Sequence, residues 1–375
     1  MSGGMSGGMS SALQWHTGPG PWPAAAQAVL SQSTSLGLYG RPAWLQHLAG
    51  SVHFEPGEQA GLLSLAGPQG QPQLVWPVLR RPQGGALRCL ANYYSPLAGP
   101  VAAAELPAEG WAAFFSALRR PGPWRACTLE IGPLPGHPAQ PSSPAGQICQ
   151  ALQAAGYRVQ PQEAFGNWHL PNPPPWAHYW AQRPSRLQHT VARKGRQFQA
   201  AGGRLEVIST PADAERGLQA FQRVYDESWK QREPHPLFIP GLVRLAAEAG
   251  WLRLGIAWLR DEPVAAQLWL HADGKTDIHK LAYRQAHAKL GAGTLLTAHL
   301  MQHALELDRA KEVDYLTGDD AYKAEWMSQR RVRWRLHGAD PRSLQGAWVI
   351  TRQSVGQQAR IWVARLATLA PVRRP

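Results

Sequence analysis

Between residues 251 and 338 the chain switches hydrophobic period in an order that few folds can satisfy. The run WLRLGIAWL (251–259) alternates as a strand, RDEP turns, and VAAQLWL (264–270) returns. HADGK turns again, and TDIHKLAY (276–283) makes a third antiparallel strand. A loop containing GAGT then leads into the helix LLTAHLMQHALEL (295–307). The buried-looking strand EVDYLTG (312–318), a short helix DDAYKAEWM (319–327) and a strand RVRWRLHG (331–338) follow. A mixed sheet flanked by helices accommodates that order, in the α/β (α+β) class.

The 375 residues exceed one ordinary core, and the 44% hydrophobic content suits two compact domains. Residues 1–12 repeat Gly, Ser and Met with nothing to bury and read as a disordered leader. From about 36 to 170 short apolar runs alternate with Gly/Pro turns: a hairpin at 61–81, a strand in ALRCLANYY, helices over 106–120 and 143–156, and strands at 124–134 and up to 170. PNPPPW (171–176) then forces extended backbone, because each proline fixes φ and restricts its predecessor. The expected boundary lies there, giving domains 13–170 and 171–375. Residues 176–201 read as a helix or a helix pair divided near Pro184, with Leu187, Val191 and Phe198 on one side and Arg186, His189, Arg193 and Arg196 opposite. Thr210, Pro211 and Asp213 open a further helix as a capping box, and its stripe Leu218, Phe221, Tyr225 and Trp229 reads as packing.

A net charge of +13 suits phosphate-bearing partners: nucleic acid, anionic lipid, a coenzyme with several phosphates, or nucleotide-linked glycan precursors. Seventeen tryptophans, spread through both halves, read mainly as packing residues. Three widely spaced cysteines, Cys89, Cys127 and Cys149, argue against a disulfide framework or zinc site, so no metal is expected. No run of apolar residues is long enough for a membrane span and no signal peptide is evident, so the expected location is cytoplasmic.

Two places carry candidate chemistry. The loop Lys289-Leu290-Gly291-Ala292-Gly293-Thr294 lies between a strand and a helix, where backbone N–H groups can approach a pyrophosphate and the helix dipole adds positive charge. The full GxGxxG fingerprint and the Walker pattern are both absent, against dehydrogenase and P-loop readings. The second place is Gly318-Asp319-Asp320-Ala321-Tyr322-Lys323, at the C-terminal end of a strand. Ligands of open α/β sheets gather at such ends, so carboxylates, a phenol and an ammonium there are poised for proton transfer and charge stabilisation.

NYYSPLAGP (92–100), FGNWHL (165–170), RPSRLQHTVARKGR (183–196), YDESWK (225–230), IHKLAYRQAHAKLGAGTLLT (278–297) and LTGDDAYKAEWM (316–327) stand in the order shown by one family. Together they resemble the CelD-like acetyltransferases of cellulose and exopolysaccharide biosynthesis, in the GNAT superfamily, and more distantly the FemAB-type enzymes. The resemblance implies tandem GNAT-like folds, the first degenerate and the second holding acetyl-CoA or another acyl-CoA as co-substrate at residues 289–294. Where the family's pyrophosphate pattern usually begins with Gln or Arg, this chain has Ala288 beside Lys289. The implied reaction is acyl transfer to an amine or hydroxyl of a small-molecule or saccharide-precursor acceptor. Asp319 is the candidate base or acceptor-orienting group, Tyr322 the candidate acid for the leaving thiolate and Lys323 the charge stabiliser. Arg186, Arg193, Trp229, Lys280 and Tyr283 are the candidate acceptor contacts. The rivals are an aminoacyl-tRNA-dependent transferase and a non-catalytic nucleic-acid or polysaccharide-binding protein; the GAGT loop favours CoA over nucleic acid.

Overall fold

A computed structural model describes residues 13–81, 85–103 and 106–352, so the leader expected at 1–12 lies outside the described residues. The first half contributes β1 (Leu13–Thr17), α1 (Ala24–Gln32), α2 (Pro42–Ser51), β2 (Gln59–Ala66), β3 (Pro72–Arg80), β4 (Ala86–Cys89), β5 (Val101–Ala102), α3 (Ala108–Arg119), β6 (Thr128–Leu134), α4 (Pro144–Ala154) and β7 (Arg158–Pro171). The second contributes α5 (Trp176–Ala181), α6 (Ser185–Ala200), β8 (Gly203–Ile208), α7 (Pro211–Asp226), α8 (Phe238–Glu248), β9 (Leu252–Leu259), β10 (Glu262–Ala272), β11 (Lys275–Tyr283), α9 (Ala292–Glu306), β12 (Glu312–Asp314) and β13 (Gln329–Ala339).

All the strands join one mixed sheet, ordered β1-β2-β3-β4-β6-β13-β7-β12-β11-β10-β9-β8, with β5 on β3. Its centre is not in sequence order. β13, the last strand among the described residues, pairs antiparallel with both β6 and β7, while β7 pairs with β12 through its final residues. The strand that ends each half therefore borders the other half. PNPPPW follows a strand bonded on both sides, so the polar backbone of the first half continues across the expected boundary.

The expected strand order from 251 to 338 is present, but β9 and β10 are buried on nearly every residue instead of on alternate ones. The cause is cover on both faces: α9 packs on one set of side chains and α7 and α8 on the other. Pro184 splits the following helical region into α5 and α6, with Leu187 and Phe198 buried. Thr210 stands at the start of α7, but its hydroxyl bonds the Asp213 carboxylate and not a helix amide, so the two side chains meet without closing the capping box. α7 ends at Asp226, which takes Trp229 off the packing stripe and leaves it 45% exposed.

A core shared by both halves unites α1 and α2 with α7 and α8. Trp44 of α2 meets Phe238 of α8 edge-on at 5.7 Å, and His47 donates to the Phe238 carbonyl. Burying each such aromatic contributes about 1.5–3 kcal/mol. Where β7, β11, β12 and β13 meet, Asp314 is fully buried and accepts from Arg331 (2.6 Å), Lys275 (2.8 Å) and the Leu316 amide (2.7 Å). Asn167 of β7 donates to the same carboxylate and to the Leu316 carbonyl. Despite burial, these cations hold the Asp314 carboxyl well below the usual carboxylate range.

Candidate active site

β11 and β12 run parallel and are bonded only from Lys275–Asp277 to Glu312–Asp314. Beyond those three pairs they part, and two cavities occupy the gap. The smaller, about 230 Å³, lies between Ile278–Leu281 of β11 and Tyr315–Thr317 after β12. The larger, about 470 Å³, continues along Leu281–Tyr283 to Gly293, Thr294 and Thr297 at the start of α9. Both share Lys230, Leu281, Tyr315, Asp320 and Tyr322, so they form one cleft with two arms.

Two backbone devices shape this cleft. In β11, Leu268 faces Lys280 and Trp269 faces Ile278, which leaves His279 as an unpaired bulge residue. A bulge breaks the ladder and re-aims the amides and side chains around it. The His279 ring itself is buried among Trp44, Tyr94 and Phe238, and burial pushes its pKa down to about 3, so it stays neutral and is a poor proton acceptor. At the other device, Gly291 adopts φ 68° and admits the chain to α9. A left-handed residue there is natural for glycine. Buried Gln267 donates to the Gly293 carbonyl (2.9 Å) and to Thr297 Oγ1 (2.8 Å), fixing the first turn, whose amides have no intrahelical acceptor.

Of the six loop residues expected to hold pyrophosphate, Gly293 and Thr294 line the larger arm, and Ala292 is buried behind it. Lys289, Leu290 and Gly291 precede the cavity wall; Lys194 of α6 donates to the Lys289 carbonyl (2.6 Å). Thus the basic helix, remote in sequence, touches the loop. Arg186 and Arg193 are exposed on α6 and line neither arm. Trp229 and Tyr283 do line the larger arm, with ring centroids 4.4 Å apart, and Lys280 lines the smaller.

The strand-end cluster divides. Asp319, the expected base, is outside the cleft: Arg330 grips it through Nε (2.9 Å) and a terminal nitrogen (2.6 Å), and Trp168 Nε1 donates at 2.8 Å. Arg330 first, then Trp168, hold its carboxyl below the usual range, a poor state for accepting a proton. Successive residues of extended backbone point to opposite sides, and it is Asp320 that lines both arms. Residues 321–325 form a short 3₁₀ turn where a helix was expected, bringing Lys323 Nζ within 3.3 Å of Asp320. The Lys323 ammonium is buried and also donates to the carbonyls of Thr317 (2.6 Å) and Gly318 (3.2 Å). Burial lowers its pKa, opposed by Asp320. Tyr322 lies between the arms with its pKa pushed up to about 12 by burial and then by Asp320, so its phenol keeps its proton.

Sequence reasoning missed a hub at Glu233, in the loop between α7 and α8. Its carboxylate accepts from Tyr94, Tyr225 (2.5 Å) and Lys280, and from Tyr93 at 3.3 Å. Tyr93 and Tyr94 belong to the NYYSPL segment of the first half and wall the smaller arm. Only the concentration of Tyr, Glu and His in two proline-bounded loops, 92–96 and 233–236, signals this hub in the sequence.

Two parallel strands thus part over a glycine-led helix, and a cleft occupies the gap. The Acetyltransferase (GNAT) domain family matches residues 185–324. Residues 185–324 form a domain of the GNAT superfamily. The chain is an acyltransferase. Among solved structures, FemX is similar with TM-score 0.57 at 12% identity, covering 83% of this chain and 94% of that one. The C-terminal domain of a putative lysylphosphatidylglycerol synthetase from Agrobacterium fabrum gives 0.51 at 12%, covering 88% and 95%. A conserved protein of unknown function from Bacteroides thetaiotaomicron gives 0.52 at 11%, covering 84% and 95%. At these identities the likeness establishes the shared fold. No curated protein matches the chain. Among the described residues of this GNAT protein, no helix is long and apolar enough to cross a membrane.

Proposed function

We propose that this chain moves an acyl group, acetyl in the first instance, from acyl-CoA to an amine or hydroxyl of a cell-envelope or exopolysaccharide precursor, in the cytoplasm. The observation that carries the reading is the two-armed cleft, with a glycine-led helix start at one arm and a lysine–tyrosine cluster at the other. The donor's pyrophosphate meets the amides of Gly293 and Thr294, and its thioester lies between β11 and Tyr315. The acceptor enters the smaller arm, where exposed Tyr93 and Tyr322 offer ring faces to a sugar. Its nucleophile attacks the thioester carbonyl while Asp320 takes its proton, and amides around the His279 bulge stabilise the oxyanion. The C–S bond then breaks and Tyr322 protonates the departing thiolate. Lys323 offsets the negative charge that develops at the junction. The saccharide assignment follows the resemblance to CelD-like enzymes, and the fold shared with FemX and with a lysylphosphatidylglycerol synthetase domain suits an envelope substrate. In this reading residues 171–375 hold the donor and residues 13–170 supply the acceptor wall through Tyr93 and Tyr94.

A specific observation favours a second reading. The exposed Arg186 and Arg193 share α6 with Lys194, which touches the loop, so a nucleic-acid donor has a basic face beside the cleft. Thermal stabilisation by acetyl-CoA, longer acyl-CoAs and aminoacyl-tRNA in parallel separates the two. Acetyl-CoA at a hundred times its Kd is expected to stabilise the chain by about 2.7 kcal/mol. Gly293→Val should remove that shift while the protein stays folded, because a side chain there stands in the donor arm and its Cβ makes only an ordinary contact with Tyr283, at 3.5 Å. Stabilisation by aminoacyl-tRNA alone, or an undiminished acetyl-CoA shift in the variant, would sink the proposal.

A further inference from the structure

Three lysines reach the smaller arm, and two of them are already neutralised. Lys280 is paired with Glu233, and Lys323 with Asp320. The third, Lys230, stands just beyond α7 and lines both arms at their junction. Among the described residues it has no ion pair; its ammonium lies 5.5 Å from the Trp229 ring centroid. The wall of the acceptor arm is therefore left with one uncompensated positive charge. That charge is held where it is costly: burial, then Lys280, lower the Lys230 pKa, opposed by the more distant Glu233 and Asp320, each already paired with another lysine. A partly desolvated ammonium beside two others is a standing cost that an anion relieves and an apolar group does not.

The donor does not supply that anion. Its phosphates belong at the start of α9, the far end of the larger arm, and the acyl group that reaches the junction is neutral. We infer that the acceptor carries one anionic group, a carboxylate or a phosphate, beside its nucleophile, and that Lys230 is the residue that recognises it. The inference rests on the acyl-transfer reading, which places the acceptor in the smaller arm.

Three amino sugars with the same 2-amine test it: glucosamine, glucosamine 6-phosphate and muramic acid, the last bearing a carboxylate. Binding to the full chain is measured by calorimetry with and without CoA, and acetyl-CoA affinity is measured separately, so a failure of the donor reading shows in that titration alone. At least one acidic sugar is expected to bind about tenfold more tightly than glucosamine, the size of one charge-assisted hydrogen bond. Which acid wins distinguishes a phosphate from a carboxylate. Lys230→Met should erase the preference with acetyl-CoA affinity unchanged, and Lys230→Arg should keep it. Equal affinity for all three sugars, no binding of either acid, a preference that survives in Lys230→Met, or loss of acetyl-CoA binding in that variant each overturns the assignment. A fall in turnover that is equal for charged and neutral acceptors also overturns it, since Lys230 would then serve the oxyanion.

Discussion

Lys323 illustrates how far a single position can be read. Its spacing after the carboxylate pair placed it at the strand end, and the structure adds that its ammonium is fixed on two carbonyls and Asp320. Lys323→Met keeps most of the aliphatic stem and removes the charge. Turnover is expected to fall roughly a hundredfold, about 3 kcal/mol of transition-state stabilisation, with acyl-CoA affinity nearly unchanged. Steady-state kinetics beside a donor titration checks the split, and full turnover in the folded variant would make Lys323 an anchor for the strand end only. The neighbouring carboxylates show where sequence stops. Asp319 and Asp320 are chemically alike, and only the direction of the backbone and the reach of Arg330 from β13 decide which one faces the cleft. Lys230 and Glu233 were illegible for a related reason: both stand in an irregular loop, without a period to say which way a side chain points.

At the scale of elements, the strands from 251 to 338 were legible because each alternates or runs apolar between clear turns. β1, α1 and α2 were not assigned; the buried side chains of α1 and α2 find their partners on α7, α8 and distant strands, which no local pattern shows. The crossing of β7, β11, β12 and β13 was also hidden, because Asp314, Arg331 and Lys275 read as ordinary surface charges until packing buries them together. That crossing holds the hinge from which β11 and β12 part. Asp314→Asn takes the buried carboxylate from Lys275 and Arg331, which keep Asp277 and Glu312 as partners, so a loss of about 1–3 kcal/mol is expected in denaturant unfolding at neutral pH. The acid limb carries a second signature. The folded carboxyl lies below its unfolded value, so its stabilisation is complete above about pH 5 and is lost as pH falls towards the folded value. The Asn variant should lack that contribution to the acid slope, and a variant as stable as the parent would show the cluster to be dispensable.

For the molecule as a whole, the exchange of β7 and β13 decides what can exist alone. Residues 171–375 contain the Gly-led loop and Lys323 but lack β7, so β12 would present an unpaired edge. Separately produced fragments 13–170 and 171–375 are expected to show no cooperative melting, and co-expression should restore a complex that melts as one unit. A second fragment that melts cooperatively and binds acetyl-CoA by itself would show that β7 is an accessory. The prolines at 171–176 led to an expectation of two domains but gave no sign of the exchange, because strand neighbours far apart in sequence leave no local trace.

The same exchange sets a clock on biosynthesis. β6 waits for a partner that is made roughly 200 residues later. During translation the first half therefore emerges with an open slot in its sheet, and the slot can close only once residue 339 has cleared the ribosome. The nascent chain must keep that edge from other strands for most of its synthesis. For this enzyme, closure of the sheet waits for β13 and does not proceed half by half.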